Sequence, residues 1–492
     1  MGSPHVFLLT VDCLRADRVG CYGYEKDTTP NIDKLASDGV TYTRCYSTGP
    51  RTNESFPGIV SSGLSTDCAF AGDRWHRVPP KPTIASWLSE NGYDTGARLS
   101  NPQLAANKQY DHGFDSFENL AVGTVGWGVS ESEENEEQDG NGNINTFFKN
   151  IGSKIHDIRS NLRESSAFSR WGFYIPLFCS YREYQRRTGW PIVDGATIRR
   201  EIINITPDST TGLNPIFRWA HFNDIHAPIH PDRVNQSKLD SIPVYRQYLS
   251  DIERIRQVES KGYERMYDSM VRYVDQQIGH VMSEIKNSGL WEDSIIIVTS
   301  DHGEALFDRG VHGHASGQDR YLHDKSRDYM YDELLNVPLI VGGGATEHNA
   351  TITAPVSTAW INEIIAQLAD LPKGEFVRSS GDSDLLSGQI EEVVLSDALT
   401  ENGHTFSGIF GDFKLVTKSL SPEDDILENS YLFKLADDPN ELRPLDHDSV
   451  PPQIEKAIRG NIRDISDLSE IDHAEQVSDQ AKELLSQLGY TE

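Results

Sequence analysis

Cysteine and methionine are scarce in this 492-residue chain, with five of each. The cysteines (Cys13, Cys21, Cys45, Cys68 and Cys179) are odd in number and form no CxxC pair. That argues against a disulfide framework and a zinc ribbon. Uninterrupted apolar runs of about 18 residues, the length that spans a bilayer, are also missing, so no membrane segment is expected. The opening stretch "MGSPHVFLLTVD" lacks a basic region, and its apolar run is too short for a secretory leader. The expectation is therefore a cytoplasmic chain. Positive charge is short as well: 45 Lys and Arg stand against 75 Asp and Glu, a net charge of −30. Such a chain repels phosphate backbones and anionic membrane, which argues against nucleic acid as a partner. Spread along the whole sequence, the acid first of all keeps a surface solvated.

What is present alternates between strands and helices. "HVFLLTVD", "PIFRWAHFND", "SIIIVTSD" and "VPLIVGGG" are continuous apolar runs of the kind found in strands covered on both faces. "VTYTRCYS" is a further strand. "TTPNIDKLASDG" reads as a helix with Pro30 at its first position and a stop at Gly39. "KPTIASWLSENGY", "YERMYDSMVRYVDQQIGHVMSEIKNSG" and "VSTAWINEIIAQLADL" are helices; in the second, Tyr263, Tyr267, Met270, Val274 and Val281 recur at core-packing spacing. Alternation of this kind predicts an α/β fold with a mostly parallel central sheet flanked by helices. After about residue 390, "HTFSGIFGDFKLVTK" and "SYLFKLADDPNEL" read as antiparallel strands, and "AEQVSDQAKELLSQLGY" as a closing helix. We therefore expect a catalytic domain over 1–385, an insertion at about 120–210 whose stretch 129–145 is acidic and poor in apolar residues, and a small α+β subdomain over 386–492.

Chemistry-bearing residues collect just after the apolar strands. Asp12 ends one, and Asp301 with His302 ends another. Ligands in open α/β sheets bind beyond the carboxyl ends of strands, so two carboxylates and an imidazole would meet there as a divalent-metal site. The competing reading is that each Asp caps the following helix. "HFNDIHAPIHPD" adds Asp224, His226 and His230, and "GVHGHA" adds His312 and His314. Near a metal, histidines bind substrate oxygens or protonate a leaving group. In "YSTGPRTNESFPGIVSS", Gly49 and Pro50 precede Thr52 at the start of a helix. Thr52 is either the N-cap or a nucleophile activated by a cation and the helix N-terminus. Pro57 is expected within the first helical turn.

These pieces, in their order along the chain, resemble the sulfatase family of the alkaline phosphatase superfamily. "TVDCLRADRVGCYGY", "TTPNIDKLASDGVTYTRCYS", "HFNDIHAPIHP", "TSDHGEALFDRGVHGH" and "NVPLIVGG" carry the likeness. The resemblance implies a largely parallel sheet with a small C-terminal sheet, and hydrolysis of sulfate or phosphate esters on small or glycan substrates. It implies one divalent ion, Ca, Mn or Zn, held by Asp12, Asp301 and His302. Thr52 falls at the nucleophile, His226 near the scissile ester, and His314 near a substrate-binding lysine. Arg51, Asn101, Asp224 and His312 fall where substrate contacts are made. The sequence departs from the family in three places. "TNESF" replaces CxPxR or SxPxR, and a secondary alcohol cannot be oxidised to formylglycine, so none is expected. Phe56 takes the place of that motif's Arg, with Arg51 as a neighbour able to stand in. Cys13 takes the place of a second Asp. The Thr nucleophile is similar to that of the superfamily's phosphodiesterases and phosphoglycerol transferases. A transferase, or an inactive homologue that keeps the pocket, are the other readings. The resemblance is strongest to sulfatase-like proteins of halophilic archaea, in keeping with the acidity.

Overall fold

The computed structural model describes residues 3–69, 82–121, 193–207, 214–227, 229–244, 261–309, 312–314, 330–346, 349–374, 384–400, 403–419, 421–428 and 430–462. The acidic stretch 129–145 and the closing helix expected near the C-terminus lie outside them.

The central sheet is built on β1 (His5–Val11), β5 (Ile216–Phe222) and β6 (Ser294–Ser300), every residue of which is buried. Strands covered on both faces have no polar side to show, which is why their sequences are near-continuous apolar runs. β1 pairs in parallel with both β5 and β6. On the β5 side follow β3 (Asp94–Leu99) and β4 (Ser116–Asn119), also parallel. On the β6 side come β9 (Asn336–Gly342), then β2 (Val40–Tyr46), with the short β10 (Ala350–Ile352) and β11 (Val356–Ser357) against β2. β9 is the exception in direction: it runs antiparallel to both β2 and β6. "VPLIVGGG" announces a buried strand, but an apolar run reads the same in either direction.

Helices cover the sheet as expected. The residues Pro30–Ser37 form α1, with Pro30 in its first turn. α2 is Thr52–Ser61, and the long helix Lys261–Asn287 carries a wide buried face and packs against α1 and the helices Gly195–Asn204 and Pro231–Ser237. The helix Gly195–Asn204 falls inside the stretch read from sequence as an insertion, yet it packs on β5 and β3 within the unit formed by residues 1–122 and 192–492. Pro57 does not fall in the first turn of α2. It is the sixth helical residue, so the carbonyl of Asn53 loses its usual donor. The helix persists because Thr48 Oγ1 donates to the carbonyls of Glu54 (3.1 Å) and Ser55 (3.0 Å), tying it from the side.

The small sheet is antiparallel, in the order β12 (Val394–Thr400), β13 (Gly403–Phe410), β14 (Phe413–Ser419), β15 (Ser430–Lys434). The helix Pro452–Arg459 lays Ile454 and Ile458 over β13. Lys414 of β14 is fully buried and meets Asp332 and Glu441 carboxylates, both at 2.6 Å. Asp332 opens the turn that feeds β9, so this charge cluster joins the small sheet to the large one. Removing one partner of a buried ion pair strands the other. Lys414→Ala is therefore expected to cost about 3–5 kcal/mol in a denaturant titration; a loss below about 1 kcal/mol, the range of exposed pairs, would show the cluster to be idle.

Candidate active site

Five loops meet at the carboxyl ends of the strands. β1 delivers Asp12 and Cys13, β6 delivers Asp301 and His302, and β5 delivers Asn223 to His226. β3 delivers Ser100 and Asn101, and β2 leads through Ser47–Arg51 to Thr52. Adjacent parallel strands place their ends side by side, so residues hundreds of positions apart become neighbours.

Each loop is fixed by specific bonds. Ser300 Oγ lies 2.6 and 2.7 Å from the Val11 and His302 carbonyls, which share its single proton, and accepts from the Leu14 amide, locking the β1 and β6 loops together. Tyr267 Oη donates to the Cys13 carbonyl at 2.6 Å and accepts from the Arg15 amide at 3.0 Å. Tyr267 reads from sequence as simple core, because helical spacing reports its face and not the partner of its hydroxyl. Cys13 itself sits in the left-handed region, φ 62°. Gly303 is needed behind His302: a Cβ there would stand 2.0 Å from the Glu333 carbonyl oxygen. Gly49 is needed ahead of Thr52, where a Cβ would stand 2.2 Å from Glu54 Cβ. β12 braces the same loop, since the Asp397 amide donates to the Thr48 carbonyl (2.8 Å) and Ser396 Oγ to that of Ser47 (2.6 Å).

The two acids and the imidazole converge. His302 Nε2 lies 3.5 Å from Asp301 Oδ2 and 3.8 Å from Asp12 Oδ1, all three side chains fully buried. His302 Nδ1 faces its neighbour's carbonyl, Gly303 O, at 2.7 Å. The proton therefore sits on Nδ1 and the Nε2 lone pair looks into the cluster, the tautomer a cation needs. Asp301 Oδ2 is buried with no hydrogen-bond partner among the described residues. A buried carboxylate oxygen left in this state is costly unless a cation satisfies it. Burial and the facing Asp12 push Asp301 above the usual carboxylate range. Burial opposes ionisation of Asp12 too, but the imidazoles around it, His221 first and then His226 and His302, hold it far below that range. This donor set fits a divalent cation.

Thr52 Oγ1 stands 3.4 Å from His302 Nε2 and 3.4 Å from Asn101 Nδ2. It is not the helix cap. Arg51 holds the cap position, with no side-chain cap bond, and Thr52 is the first helical residue. Asn101 bridges the hydroxyl to the carboxylates, donating also to Asp12 Oδ2 at 2.7 Å. Burial lowers the pKa of His302 and of His226. His226 Nδ1 faces the Ala227 carbonyl, and its ring is 5.1 Å from that of His314. The His314 ring is in turn 4.4 Å from that of His302.

Other residues singled out from sequence are placed differently. Arg51 is paired with the buried Glu54. Asp224 accepts from the Gly195 amide and pairs with Arg233, both at 3.0 Å. His230 caps the helix Pro231–Ser237. The His312 backbone belongs to the short β8 (His312–Gly313), antiparallel to the equally short β7 (Ala305–Leu306), and its side chain lies outside the described residues. Phe56 packs edge-on against His221, ring centroids 5.1 Å apart, and so lines the floor of the site.

Two participants, Glu304 and His221, are missing from the sequence reading, and a third, Cys13, was noted there only as the replacement for a second Asp. Glu304 pairs with His314 Nδ1 at 3.2 Å. His221 Nε2 lies 3.5 Å from Asp12 Oδ2, its Nδ1 held by Thr10 at 2.9 Å. Cys13 Sγ donates to Asp12 Oδ1 at 2.9 Å and lies 3.7 Å from His314 Nδ1. The signal for Glu304 was its place two residues after His302; nothing local distinguishes His221.

A family model described as Sulfatase matches residues 4–372. The chain is similar to an arylsulfatase of Clostridium perfringens, 22% identical over 335 residues, covering 62% of this chain and 64% of that one. It is similar to a sulfatase of Formosa agariphila, 21% identical over 397 residues, with coverage of 75% and 70%. Its fold matches a solved structure bound to its substrate D-glucosamine-2-N,6-O-disulfate, with TM-score 0.62, 14% identity and coverage of 99% and 98%. The chain thus spans just under two thirds of the arylsulfatase's length. Among the described residues no helix is long and apolar enough to cross a membrane.

Proposed function

Because the chain belongs to the sulfatase family, we propose that it is a metal-dependent hydrolase of sulfate esters, with Thr52 itself as the nucleophile and no formylglycine. The observation that carries this reading is Thr52 Oγ1. It performs no capping task and sits instead 3.4 Å from His302 Nε2, against the carboxylate cluster. Asp12, Asp301 and His302 would hold the cation. A divalent cation there supplies the positive charge that favours ionised Thr52 and polarises the ester.

The chain's own groups do the rest. Asn101 holds the Thr52 oxygen beside Asp12. Thr52 Oγ1 attacks sulfur in line, and the bond to the leaving oxygen breaks. His314 is the donor of choice for that oxygen. Burial works against its charge, but the Glu304 carboxylate, with Asp12 and Asp301 beyond, raises its pKa above the ordinary value. His226 is held neutral by burial and is suited to accepting a hydrogen bond from substrate. Water then attacks sulfur and frees Thr52. Sulfated glycans are natural candidates, given the disulfated glucosamine bound by the structural neighbour.

One observation favours a second reading, phosphate or phosphonate diesters. A threonine ester of sulfate lacks the diol route by which a formylglycine expels sulfate, and a phosphoryl-threonine is easier for water to open. The experiment is a panel of chromogenic sulfate, phosphate monoester, diester and phosphonate substrates, run with several divalent ions at low and high salt because of the −30 charge. Turnover of diesters alone would favour the second reading. Transfer to added alcohols would reveal a transferase, and turnover of nothing an inactive homologue.

A pH prediction follows for His314. Glu304, Asp12, Asp301, the rings of His226 and His302, and the Cys13 thiol all face it. A general acid works below its pKa, so activity should fall as pH rises through the raised value. Glu304→Gln removes the largest raising charge and should move that alkaline limb to lower pH. An unmoved limb would show that His314 is not the acid.

A further inference from the structure

The structure assigns Cys13 to the cation's coordination sphere as a thiolate, beside Asp12, Asp301 and His302, which makes the site selective for a zinc-class ion over calcium or magnesium. This rests on the proposed metal-dependent reading and deepens it.

The geometry is that of a ligand set. Zinc bonds of about 2.0–2.3 Å put neighbouring ligand atoms about 3–4 Å apart. Cys13 Sγ lies 2.9 Å from Asp12 Oδ1, while His302 Nε2 lies 3.8 Å from Asp12 Oδ1 and 3.5 Å from Asp301 Oδ2. One donor atom each from Asp12, Cys13 and His302 lies within 4.8 Å of the others. Asp301 Oδ2 lies outside that group of three but 3.5 Å from its His302 Nε2, and it is fully buried with no hydrogen-bond partner among the described residues, which points independently to a cation beside His302. The backbone holds the thiol there at a cost: φ at Cys13 is 62°, its carbonyl is held by Tyr267, and its amide donates to Asp301 Oδ1 at 3.3 Å.

The donor chemistry then decides the ion. Calcium takes six to eight oxygens and magnesium an octahedron of them. A set of two carboxylates, one imidazole and one sulfur suits zinc and its neighbours, for which thiolate and imidazole are preferred ligands. In the cation-free protein the thiol is protonated, its S–H directed at Asp12. On binding, the sulfur–cation bond forms and that proton leaves to water.

The test is cobalt(II) substitution of the chelator-treated full chain. Wild type should bind one equivalent and show both visible d–d bands and a near-ultraviolet sulfur-to-cobalt charge-transfer band. Cys13→Ser should keep the d–d bands, lose the charge-transfer band and bind zinc at least about tenfold more weakly. Cys13→Asp should let calcium compete with zinc where it fails to in wild type. The d–d bands without the charge-transfer band in wild type, or the same band persisting in Cys13→Ser, would overturn the assignment of Cys13 alone. Two bound equivalents would overturn the single-ion version. No cobalt bound by wild type would overturn the metal reading itself.

Discussion

Thr52→Ala should lower turnover by about 10³-fold or more, as removal of a nucleophile does, while leaving the fold and the cation in place. The separation of effects follows from the local structure. Arg51, not Thr52, holds the cap position of α2, so no capping bond is lost. Among the described residues the Thr52 hydroxyl has two neighbours within hydrogen-bond reach, His302 and Asn101, both at 3.4 Å, and Asn101 keeps its 2.7 Å bond to Asp12. The stability cost should therefore stay near 1 kcal/mol, typical of a single buried truncation. Thr52→Ser keeps an oxygen at the same place and should keep measurable turnover on the same substrate. Steady-state rates, a thermal melt and metal analysis on the three proteins make the comparison. Near wild-type turnover in the alanine variant, with the ion still bound, would remove Thr52 from the chemistry.

Asp301→Asn should abolish activity and strongly weaken metal binding, yet make the cation-free protein more stable. Asp301 is fully buried, faces Asp12, and has one oxygen without a hydrogen-bond partner among the described residues. Burial and Asp12 raise its folded pKa. For an acid the sign is then fixed: the folded protein holds the proton more tightly than the unfolded chain. Stability is lost as pH rises from the unfolded pKa through the raised folded one. The amide carries no charge, so the variant should lack this loss and gain about 1–3 kcal/mol at neutral pH without metal, the scale set by one unsatisfied buried polar group. Added cation should reverse the order, because it stabilises only wild type, in proportion to how far its concentration exceeds the dissociation constant. Chemical denaturation with and without chelator reads both signs. A cation-free variant less stable than wild type would show that Asp301 is satisfied without a metal.

The apolar runs ending in Asp12 and Asp301 determined a great deal by themselves. An all-buried run followed by acid is a local pattern, and it identifies both the strand and the end at which chemistry collects. The start of α1, the long helix Lys261–Asn287 and the antiparallel strands after residue 390 were legible for the same reason: period and punctuation act within a few residues. What the tertiary structure decided are the matters in which a residue's role is set by a distant partner. The direction of β9 depends on the strands beside it. Thr52 is separated from a capping role by a one-residue shift that places Arg51 at the cap. Arg51 and Asp224 are ion-paired with Glu54 and Arg233, and the Glu304 carboxylate beside His314 raises that histidine's pKa. Cys13 is a lone thiol in the sequence, and it meets Asp301 and His302 only because β1 and β6 lie side by side, bringing them to it across nearly three hundred residues. Spacing fixes which way a side chain points from its own element; what it meets there depends on how the other elements pack around it.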